Sequence, residues 1–266
     1  MASSDFAGRY GPWALVAGAS EGLGAEFGRQ LAARGLNLVL LARRAPVLRD
    51  VAGEIAASHG VEVRDVAVDL ADAGASEVVE AATADLEVGL LVYNAASSVI
   101  GAFLAQPLER HLVELELNCR RPLELSHHFG RRMQQRGHGG ILLMSSLAGS
   151  QGSPFIAHYG ATKAWNRVLA EGLWWELREA GIDVLACCAG ATRTPGYLAD
   201  RPDDGGYVPE MEPDAVAREA LAALGSTPSM IPGRVNRLAA FVLGRLLPRR
   251  TAISVMGRAS RSVGVE

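Results

Sequence analysis

The chain alternates short, continuously apolar segments with longer segments of helical periodicity, and this alternation limits its fold more than any other feature. A strand that is apolar on both faces belongs in a sheet covered on both sides, and strand–helix alternation makes that sheet parallel. The predicted strands are Trp13–Ala17, Leu36–Leu41, Val61–Val68, Val88–Tyr93, Ile141–Ser145 and Ile182–Cys188. The predicted helices lie near 22–34, 45–59, 72–85, 107–136 and 157–180. The sequence therefore predicts an α/β fold, a single domain over 1–266 with a doubly wound parallel sheet of about seven strands and helices on both faces.

Two later segments depart from the alternation. Residues 191–213 contain four prolines, two adjacent glycines and two adjacent aspartates. Long loops of this kind are lids or disordered segments, and we interpret this one as a substrate lid. Residues 234–266 form a basic C-terminal extension with seven arginines and one acid. Between Arg234 and Arg250 the arginines share one helical arc and Ala239, Leu243, Leu246 and Leu247 another, which fits an interfacial membrane helix or, more simply, packing against the domain.

Charge and composition exclude several classes of function. The extension carries +6 and residues 1–233 carry −9, so the body of the protein has no basic face for nucleic acid. No apolar segment approaches the roughly 20 residues that cross a bilayer, and residues 1–11 lack the order of a secretory signal. Cys119, Cys187 and Cys188 are odd in number and two are adjacent, which favours reduced thiols and a cytoplasmic location.

The first predicted strand runs directly into a glycine-rich turn that opens a helix. Glycines there let the chain turn sharply, let a pyrophosphate approach bare backbone, and let helix and strand pack closely. The helix N-terminus adds free N–H groups and the positive end of its dipole. This context predicts a dinucleotide site rather than a plain tight turn. The candidate contacts are Gly18, Ser20, Glu21, Gly22, Leu23 and Gly24.

Tyr159 and Lys163 are four residues apart at the start of a predicted helix, so they share one face. A free phenol has a pKa of about 10 and is a poor base, but a neighbouring cation favours the phenolate. Two unit charges about 4 Å apart interact by roughly 4 kcal/mol at an effective dielectric of about 20. That energy lowers the phenol pKa by up to about three units. The pair is therefore a candidate general acid/base near neutral pH.

The G-x-x-x-G-x-G turn, the Tyr–Lys pair and Ser146, thirteen residues before the tyrosine, together resemble the short-chain dehydrogenase/reductase family, which has a Rossmann-type fold. The resemblance implies an NAD(P)(H)-dependent oxidoreductase that interconverts a carbonyl and an alcohol by hydride transfer. It implies that Tyr159 moves the proton, that Ser146 bonds the same oxygen, and that Lys163 tunes the tyrosine and holds the nicotinamide ribose. Asn118 matches the asparagine that supports a water chain. Ser145 is the alternative candidate for the catalytic serine.

The resemblance runs from about Trp13 to Thr194 and implies further cofactor contacts. These are Asp69 and Leu70 at the adenine, Asn94 and Ala95 after the fourth strand, and Gly190, Thr192 and Thr194 at the nicotinamide. The chain departs from the family at three positions. Ala17 replaces a usual threonine, Ala96 replaces a glycine, and Ala189 replaces a proline.

The end of the second strand bears on the choice of cofactor. An acid there would bind the ribose 2′-hydroxyl of NAD, but this chain has Arg43 and Arg44. A guanidinium suits a phosphate in bidentate geometry, so we predict that NADP(H) is preferred through Arg43, with NAD(H) as the alternative cofactor. Glu21 is a contrary signal because its charge faces the same region, and two solvated arginines are the alternative interpretation.

The remaining features leave alternatives open. The histidines and cysteines show no recognised metal spacing, so no metal is predicted. His158 either touches substrate or is an exposed histidine at a helix start, and Trp174 and Trp175 belong to the core or to a subunit interface. The resemblance implies a homodimer or homotetramer. The competing function is a catalytically silent dinucleotide-binding sensor or scaffold, against which the complete Ser–Tyr–Lys set argues.

The substrate is not named by the sequence. We predict a small or medium, fairly apolar molecule, and steroid, acyl, sugar and aldehyde carbonyls all stay open. The candidate pocket residues are Phe103, Phe155, Ile156 and Tyr197.

Overall fold

The computed structural model describes residues 3–199 and 209–261. The central part of the segment interpreted as a lid, 200–208, lies outside the described residues, as do the last five residues of the C-terminal extension. None of the helices in the two described ranges combines the length and hydropathy that crossing a bilayer requires.

The described residues form one seven-stranded parallel sheet, which confirms the predicted fold class. The strands are β1 (Trp13–Ala17), β2 (Asn37–Ala42), β3 (Val63–Ala67), β4 (Val88–Tyr93), β5 (Gly139–Ser146), β6 (Ile182–Ala189) and β7 (Ser229–Met230). Their order across the sheet is β3-β2-β1-β4-β5-β6-β7. The chain therefore builds outwards from β1 in one direction and then returns past β1 to build the other half. This reversal opens a crevice at the carboxyl ends of β1 and β4, where such sheets bind ligands.

The bounds of β2, β3, β5 and β6 differ from the predicted ones by one or two residues. β1 and β4 have the predicted bounds, whereas β5 begins at Gly139 and Gly140 and continues to Ser146. Glycine and serine do not mark an apolar segment, but their backbone groups still pair with β6. The seventh strand has only two residues, which is too short for a periodic signal, so the sequence does not locate it.

Eleven helices are found among the described residues. They are α1 (Ser3–Tyr10), α2 (Gly22–Ala32), α3 (Ala45–His59), α4 (Ala75–Ala82), α5 (Leu108–Leu115), α6 (Arg121–Arg136), α7 (Ala157–Leu177), α8 (Pro195–Ala199), α9 (Pro213–Ala223), α10 (Arg234–Phe241) and α11 (Arg249–Arg261). Alternate strand residues face opposite sides of the sheet. Leu38 and Leu40 pack with α1, α2, α3 and α9, whereas Val39 and Leu41 pack with α4, α6 and α7. Trp174 packs partly buried against the second core, and Trp175 is 60% exposed.

The helix predicted near 107–136 is divided, and Pro122 gives the physical reason. A wide π-type turn over Glu116–Arg120 joins α5 to α6. Proline has no N–H, so Pro122 does not donate to the carbonyl of Asn118 four residues earlier. That carbonyl instead accepts a hydrogen bond from Asn166 of α7 at 2.8 Å. The division places the turn against the start of α7.

The single helix suggested for Arg234–Arg250 is also divided. α10 ends at Phe241, a wide π-type turn continues it over Val242–Leu246, and α11 begins at Arg249, after Pro248. Of the predicted apolar arc, Ala239, Leu243 and Leu247 are partly buried and Leu246 is exposed, as are Leu238 and Phe241. The partly buried positions fit packing against the domain better than a continuous interfacial helix.

Candidate active site

The glycine turn is shaped so tightly that side chains are excluded at its three glycines. Gly18 and Gly22 have φ values of +80° and +55°. A Cβ at Gly18 would lie 2.8 Å from the Ala95 Cα, and one at Gly24 would lie 1.9 Å from the Gly18 carbonyl oxygen. Glu21 precedes α2 and makes no capping bond to it. The first N–H groups of the helix therefore face a bare backbone cradle, which suits a pyrophosphate.

Charged side chains line the rim of this cradle at the ends of β2 and β3. The Arg44 guanidinium lies 2.7 Å from a Glu21 carboxylate oxygen and donates to the Ser20 hydroxyl at 3.3 Å. Arg43 has a side chain that is 75% exposed and lies 3.6 Å from Asp69. Arg44 thus neutralises the charge of Glu21, so Glu21 argues less strongly against a preference for NADP(H).

The residues after β3 and β4 complete this half of the crevice. The Asn94 amide donates to the Gly18 carbonyl at 3.0 Å and so ties the end of β4 to the turn. Leu70 is buried, and its carbonyl accepts a bond from Arg121 at 2.9 Å. Leu23, on the first turn of α2, is also buried. Ala96 is exposed and avoids the left-handed backbone region, so the alanine is accommodated without strain.

The two serines at the end of β5 have different partners. The Ser145 hydroxyl is buried and donates to the Lys163 carbonyl at 2.7 Å. The Ser146 hydroxyl accepts a bond from the Ala148 N–H at 3.2 Å and lies against the Tyr159 phenol. Ser145 is therefore committed to the backbone of α7, and Ser146 is the serine that faces the tyrosine.

Tyr159 and Lys163 lie together on α7, but their electrostatics differ from the prediction. The Lys163 ammonium lies 5.6 Å from the centre of the Tyr159 ring and donates to the Met144 carbonyl at 2.9 Å. Burial lowers the pKa of Lys163 to about 8. Burial also raises the pKa of Tyr159, and the Ser146 hydroxyl only partly opposes this. The predicted lowering of the tyrosine pKa was wrong for the cofactor-free protein, because loss of water on burial outweighs the hydrogen bond with Ser146.

Asn118 lies in the wide turn between α5 and α6 and is almost fully buried. Its amide oxygen accepts from the Ser97 N–H at 3.0 Å, and its amide nitrogen donates to the Ser97 carbonyl at 2.9 Å and to Thr162 at 3.0 Å. One side chain therefore joins the loop after β4 to the helix that carries Tyr159. Neither Thr162 nor Asn166 was among the predicted site residues, because single polar residues inside a helix give no signal.

The segment after β6 closes the other side of the crevice. Thr192 donates to the Gly190 carbonyl at 3.1 Å, and Thr194 lies directly over Gly22, where a Cβ would come within 2.9 Å of it. Asn236 of α10 is buried, and its amide nitrogen would lie 2.8 Å from a Cβ at Gly190. The sequence did not indicate Asn236, since nothing in an arginine-rich tail marks one asparagine as buried.

Phe155, a candidate pocket residue, has a left-handed backbone conformation with φ of 65°. It is alone in this among the non-glycine residues of the described ranges, and such strain in a bulky residue often marks a functional site. Its carbonyl accepts a bond from the Gly101 N–H at 2.8 Å.

His158 is neither free nor exposed at the start of α7, because the His158 Nδ1 lies 2.8 Å from a Glu114 oxygen.

Comparison with known proteins supports the same assignment. A family described as short chain dehydrogenase matches residues 12–204. The chain is 34% identical over 235 residues to a 7beta-hydroxysteroid dehydrogenase of Collinsella aerofaciens, over 86% of this chain and 89% of that protein. A solved structure concerned with 7beta-hydroxysteroid dehydrogenase stereoselectivity has a TM-score of 0.90 at 32% identity, covering 95% of this chain and 99% of the other. A short-chain dehydrogenase from Sphingobium yanoikuyae in complex with NADPH has a TM-score of 0.77 at 30% identity, covering 88% and 94%. The chain therefore belongs to the short-chain dehydrogenase family and is an oxidoreductase that acts on a carbonyl or alcohol carbon.

Proposed function

We propose that this chain interconverts a ketone and a secondary alcohol on a steroid-like ring system, with NADP(H) as the preferred cofactor and Tyr159 as general acid/base. The observation that carries the proposal is the position of the Tyr159 phenol. It lies beside Ser146 and Lys163 at the same sheet edge as the glycine turn. The steroid-like substrate rests on the relatives named 7beta-hydroxysteroid dehydrogenase, which the chain matches over most of its length.

In the proposed mechanism the protein moves a proton at one oxygen atom. When bound, the nicotinamide supplies or accepts the hydride at the substrate carbon. The Tyr159 phenol gives its proton to the carbonyl oxygen in reduction and takes it back in oxidation, and Ser146 donates a hydrogen bond to the same oxygen. The raised pKa of the partly buried phenol keeps it protonated in the free protein, as an acid must be. Lys163 holds a positive charge behind the phenol and positions the ribose.

The cofactor proposal rests on the fit of the crevice to a dinucleotide. The cradle formed by Gly18, Gly22 and Gly24 has no room for side chains, and Asn94 and Thr194 border it. At its rim Arg44 neutralises Glu21, and the exposed Arg43 is available to a 2′-phosphate through its remaining donors. We assign Asp69, Leu70 and Ala95 to the adenosine half, and Gly190, Thr192 and Thr194 to the nicotinamide half.

The organisation of the chain is also part of the proposal. We propose that residues 1–266 form one dinucleotide-binding domain, that 191–213 is a substrate lid, and that 234–266 is a C-terminal extension. The two described arms of the lid support its role, because the Arg193 N–H donates to the Met211 carbonyl and the Met211 N–H donates to the Ala191 carbonyl, both at 2.9 Å. The three buried, unpaired cysteines fit a reducing cytoplasm.

The experiment that tests the function is a kinetic comparison of wild type with Tyr159→Phe. We expect the variant to lose at least about a thousandfold in kcat, since it lacks the transferred proton. Its affinity for NADPH should stay within about threefold, measured by fluorescence titration, because the ring and its packing remain. A variant that keeps turnover would contradict the role of Tyr159, and a wild type that binds NADPH but turns over no carbonyl would favour the sensor.

The substrate class is tested separately with a panel of carbonyl compounds. We expect the highest kcat/KM for a 7-oxosteroid, compared with a simple aldehyde, a keto sugar and a 3-oxoacyl thioester, followed by nicotinamide absorbance. Turnover of one of the other compounds in preference to the steroid would overturn the substrate class and leave the enzyme assignment in place.

A further inference from the structure

At the start of α7, the helix that carries Tyr159, the fold brings together two histidines and a glutamate. We name these residues the His–Glu cluster: His111, Glu114 and His158. His111 and Glu114 lie one turn apart on α5, and His158 is in the first turn of α7. One nitrogen or oxygen atom from each residue lies within 4.8 Å of the other two. The sequence predicted no metal site because these residues are too far apart along the chain to form a recognised spacing.

His111 and Glu114 are buried, the His158 side chain is 21% exposed, and several polar atoms of the cluster have no partner in the described protein. Glu114 is fully buried, and His111 is 7% exposed. The His158 Nδ1 lies 2.8 Å from one Glu114 oxygen, while the His111 Nδ1 lies 3.9 Å from the same oxygen, beyond hydrogen-bond range. The second Glu114 oxygen and both nitrogens of His111 make no hydrogen bond to any described residue.

Leaving these atoms without partners is costly, so their arrangement requires an explanation. An unpartnered polar group in the protein interior destabilises the fold, and an isolated buried carboxylate does so far more. The Phe103 ring packs at 4.7 Å on the His111 ring and covers one side of the cluster. A bound cation would satisfy the imidazole nitrogens and the carboxylate at once.

Two imidazoles and one carboxylate are the donor set of many zinc sites. In open zinc sites three protein ligands hold the ion and a water takes the fourth position, with bonds to nitrogen and oxygen of about 2.0–2.2 Å. Tetrahedral bonds of that length place ligand atoms roughly 3.3–3.5 Å apart. The cluster would therefore open slightly at the His158–Glu114 contact and close slightly at the His111–Glu114 contact, which side-chain rotation achieves.

We propose that His111, Glu114 and His158 bind one divalent transition-metal ion, with zinc as the best-matched ion. The ion joins α5 to the first turn of α7 through His158, the residue that precedes Tyr159. The proposal does not depend on the proposed substrate or cofactor.

The test is calorimetric titration of Zn²⁺ into the full chain after dialysis against a chelator. We expect one equivalent to bind the wild type, and Co²⁺ in its place to give the visible absorption of a tetrahedral site. His111→Asn and Glu114→Gln should each weaken zinc binding at least about tenfold. His59→Asn, which changes an exposed histidine at the end of α3, is the matched control and should bind zinc like wild type.

Two results would overturn the proposal. The first is a wild type that binds no zinc, or binds it as weakly as His111→Asn does. The second is a loss of binding in the His59 control alone. His111 makes no hydrogen bond within the described protein, so its replacement keeps the test valid even where Glu114→Gln fails to fold, with folding checked by circular dichroism. Because binding is measured without cofactor or substrate, a failure here is distinct from a failure of the proposed function.

Discussion

Lys163 is the only lysine of the chain, in which every other basic side chain apart from histidine is arginine. Arginine keeps its charge wherever it lies, whereas lysine changes its pKa readily when buried. Burial lowers the pKa of Lys163 to about 8, against small opposing effects of Cys119 and Glu114. The single position where the chain uses lysine is thus the position where a compact, tunable charge is needed beside Tyr159.

The lowered pKa predicts that Lys163 destabilises the folded protein near neutral pH. Below about pH 8 both the folded and the unfolded chain hold the proton, and the whole cost applies. A shift from 10.5 to about 8 corresponds to roughly 3 kcal/mol. We expect Lys163→Met to abolish activity and to stabilise the cofactor-free protein by about 1–3 kcal/mol at pH 7. The gain is at most the full cost of the buried charge, because the Met144 carbonyl loses its donor.

The pH dependence provides the check on this prediction. Between about pH 8 and pH 10.5 the folded wild type gives up the proton and the cost disappears, so the advantage of Lys163→Met should shrink towards pH 10. Urea unfolding of both proteins at pH 7 and about pH 10 measures it. An advantage that stays constant with pH would mean that the ammonium is not the cause.

Arg43 carries the second prediction at this scale. Arg43→Ala should lower kcat/KM for NADPH by about 10–100-fold, the value of a lost charge-assisted hydrogen bond, and leave that for NADH within about threefold. Arg49→Ala, which removes an exposed charge from α3, is the control. Equal losses with both cofactors, or a wild type that works as well with NADH, would refute the preference.

Among the elements, the divided helix α5–α6 does most to shape the site. Pro122 frees the Asn118 carbonyl, and the wide turn directs the Asn118 side chain towards Ser97 and Thr162. At the start of α6 the Arg121 side chain, 1% exposed, donates to the carbonyls of Leu70 and Asp72. One short stretch of helix therefore holds both the loop after β3 and the loop after β4.

Arg121 gives a prediction for this element. Arg121→Met should lower the free energy of unfolding by about 3–5 kcal/mol, since it removes a buried guanidinium that bonds four partners, Ser76 and Glu124 among them. The adjacent Arg120→Met should cost less than about 1 kcal/mol, because Arg120 also pairs with Glu124 but is 60% exposed. Urea unfolding compares the two, and similar losses would show that the buried contacts are not decisive.

These elements also show how far the sequence predicts the structure. Strands and long helices follow from periodicity, and the glycine turn, Ser146, Tyr159 and Lys163 follow from spacing. Other features do not follow from the sequence, since each depends on residues from distant elements meeting in the fold. They are the interruption at Glu116–Arg120, the buried Asn236 and the His–Glu cluster. The raised pKa of Tyr159 could not be predicted either, because it depends on burial that no local sequence pattern shows.

At the scale of the whole molecule, apolar side chains remain exposed on two neighbouring helices. They are Leu108, Leu112 and Leu115 of α5, and Val168 and Trp175 of α7. Exposed apolar patches of this kind mark contacts between proteins. We propose that this face joins two copies of the chain in a homodimer or homotetramer.

The assembly is checked by light scattering. Wild type should have the mass of a dimer or tetramer, and the double variant Leu112→Glu with Val168→Glu should shift towards the monomer, since both side chains are at least half exposed in one chain and their replacement leaves the fold intact. Val235→Glu, an exposed residue of α10, should keep the wild-type mass. A monomeric wild type would remove this proposal.

The contact between Asn236 and Gly190 has a consequence for the arginine-rich end of the chain. Asn236 lies where a side chain on Gly190 would have to be, and Arg249 donates to the Ser150 carbonyl at 3.3 Å. The last two helices thus pack against the loops that follow β5 and β6. A displacement of these helices would therefore break the contact at Gly190 and the bond to Ser150, so the position of the arginine-rich helices is coupled to the loops that border the crevice.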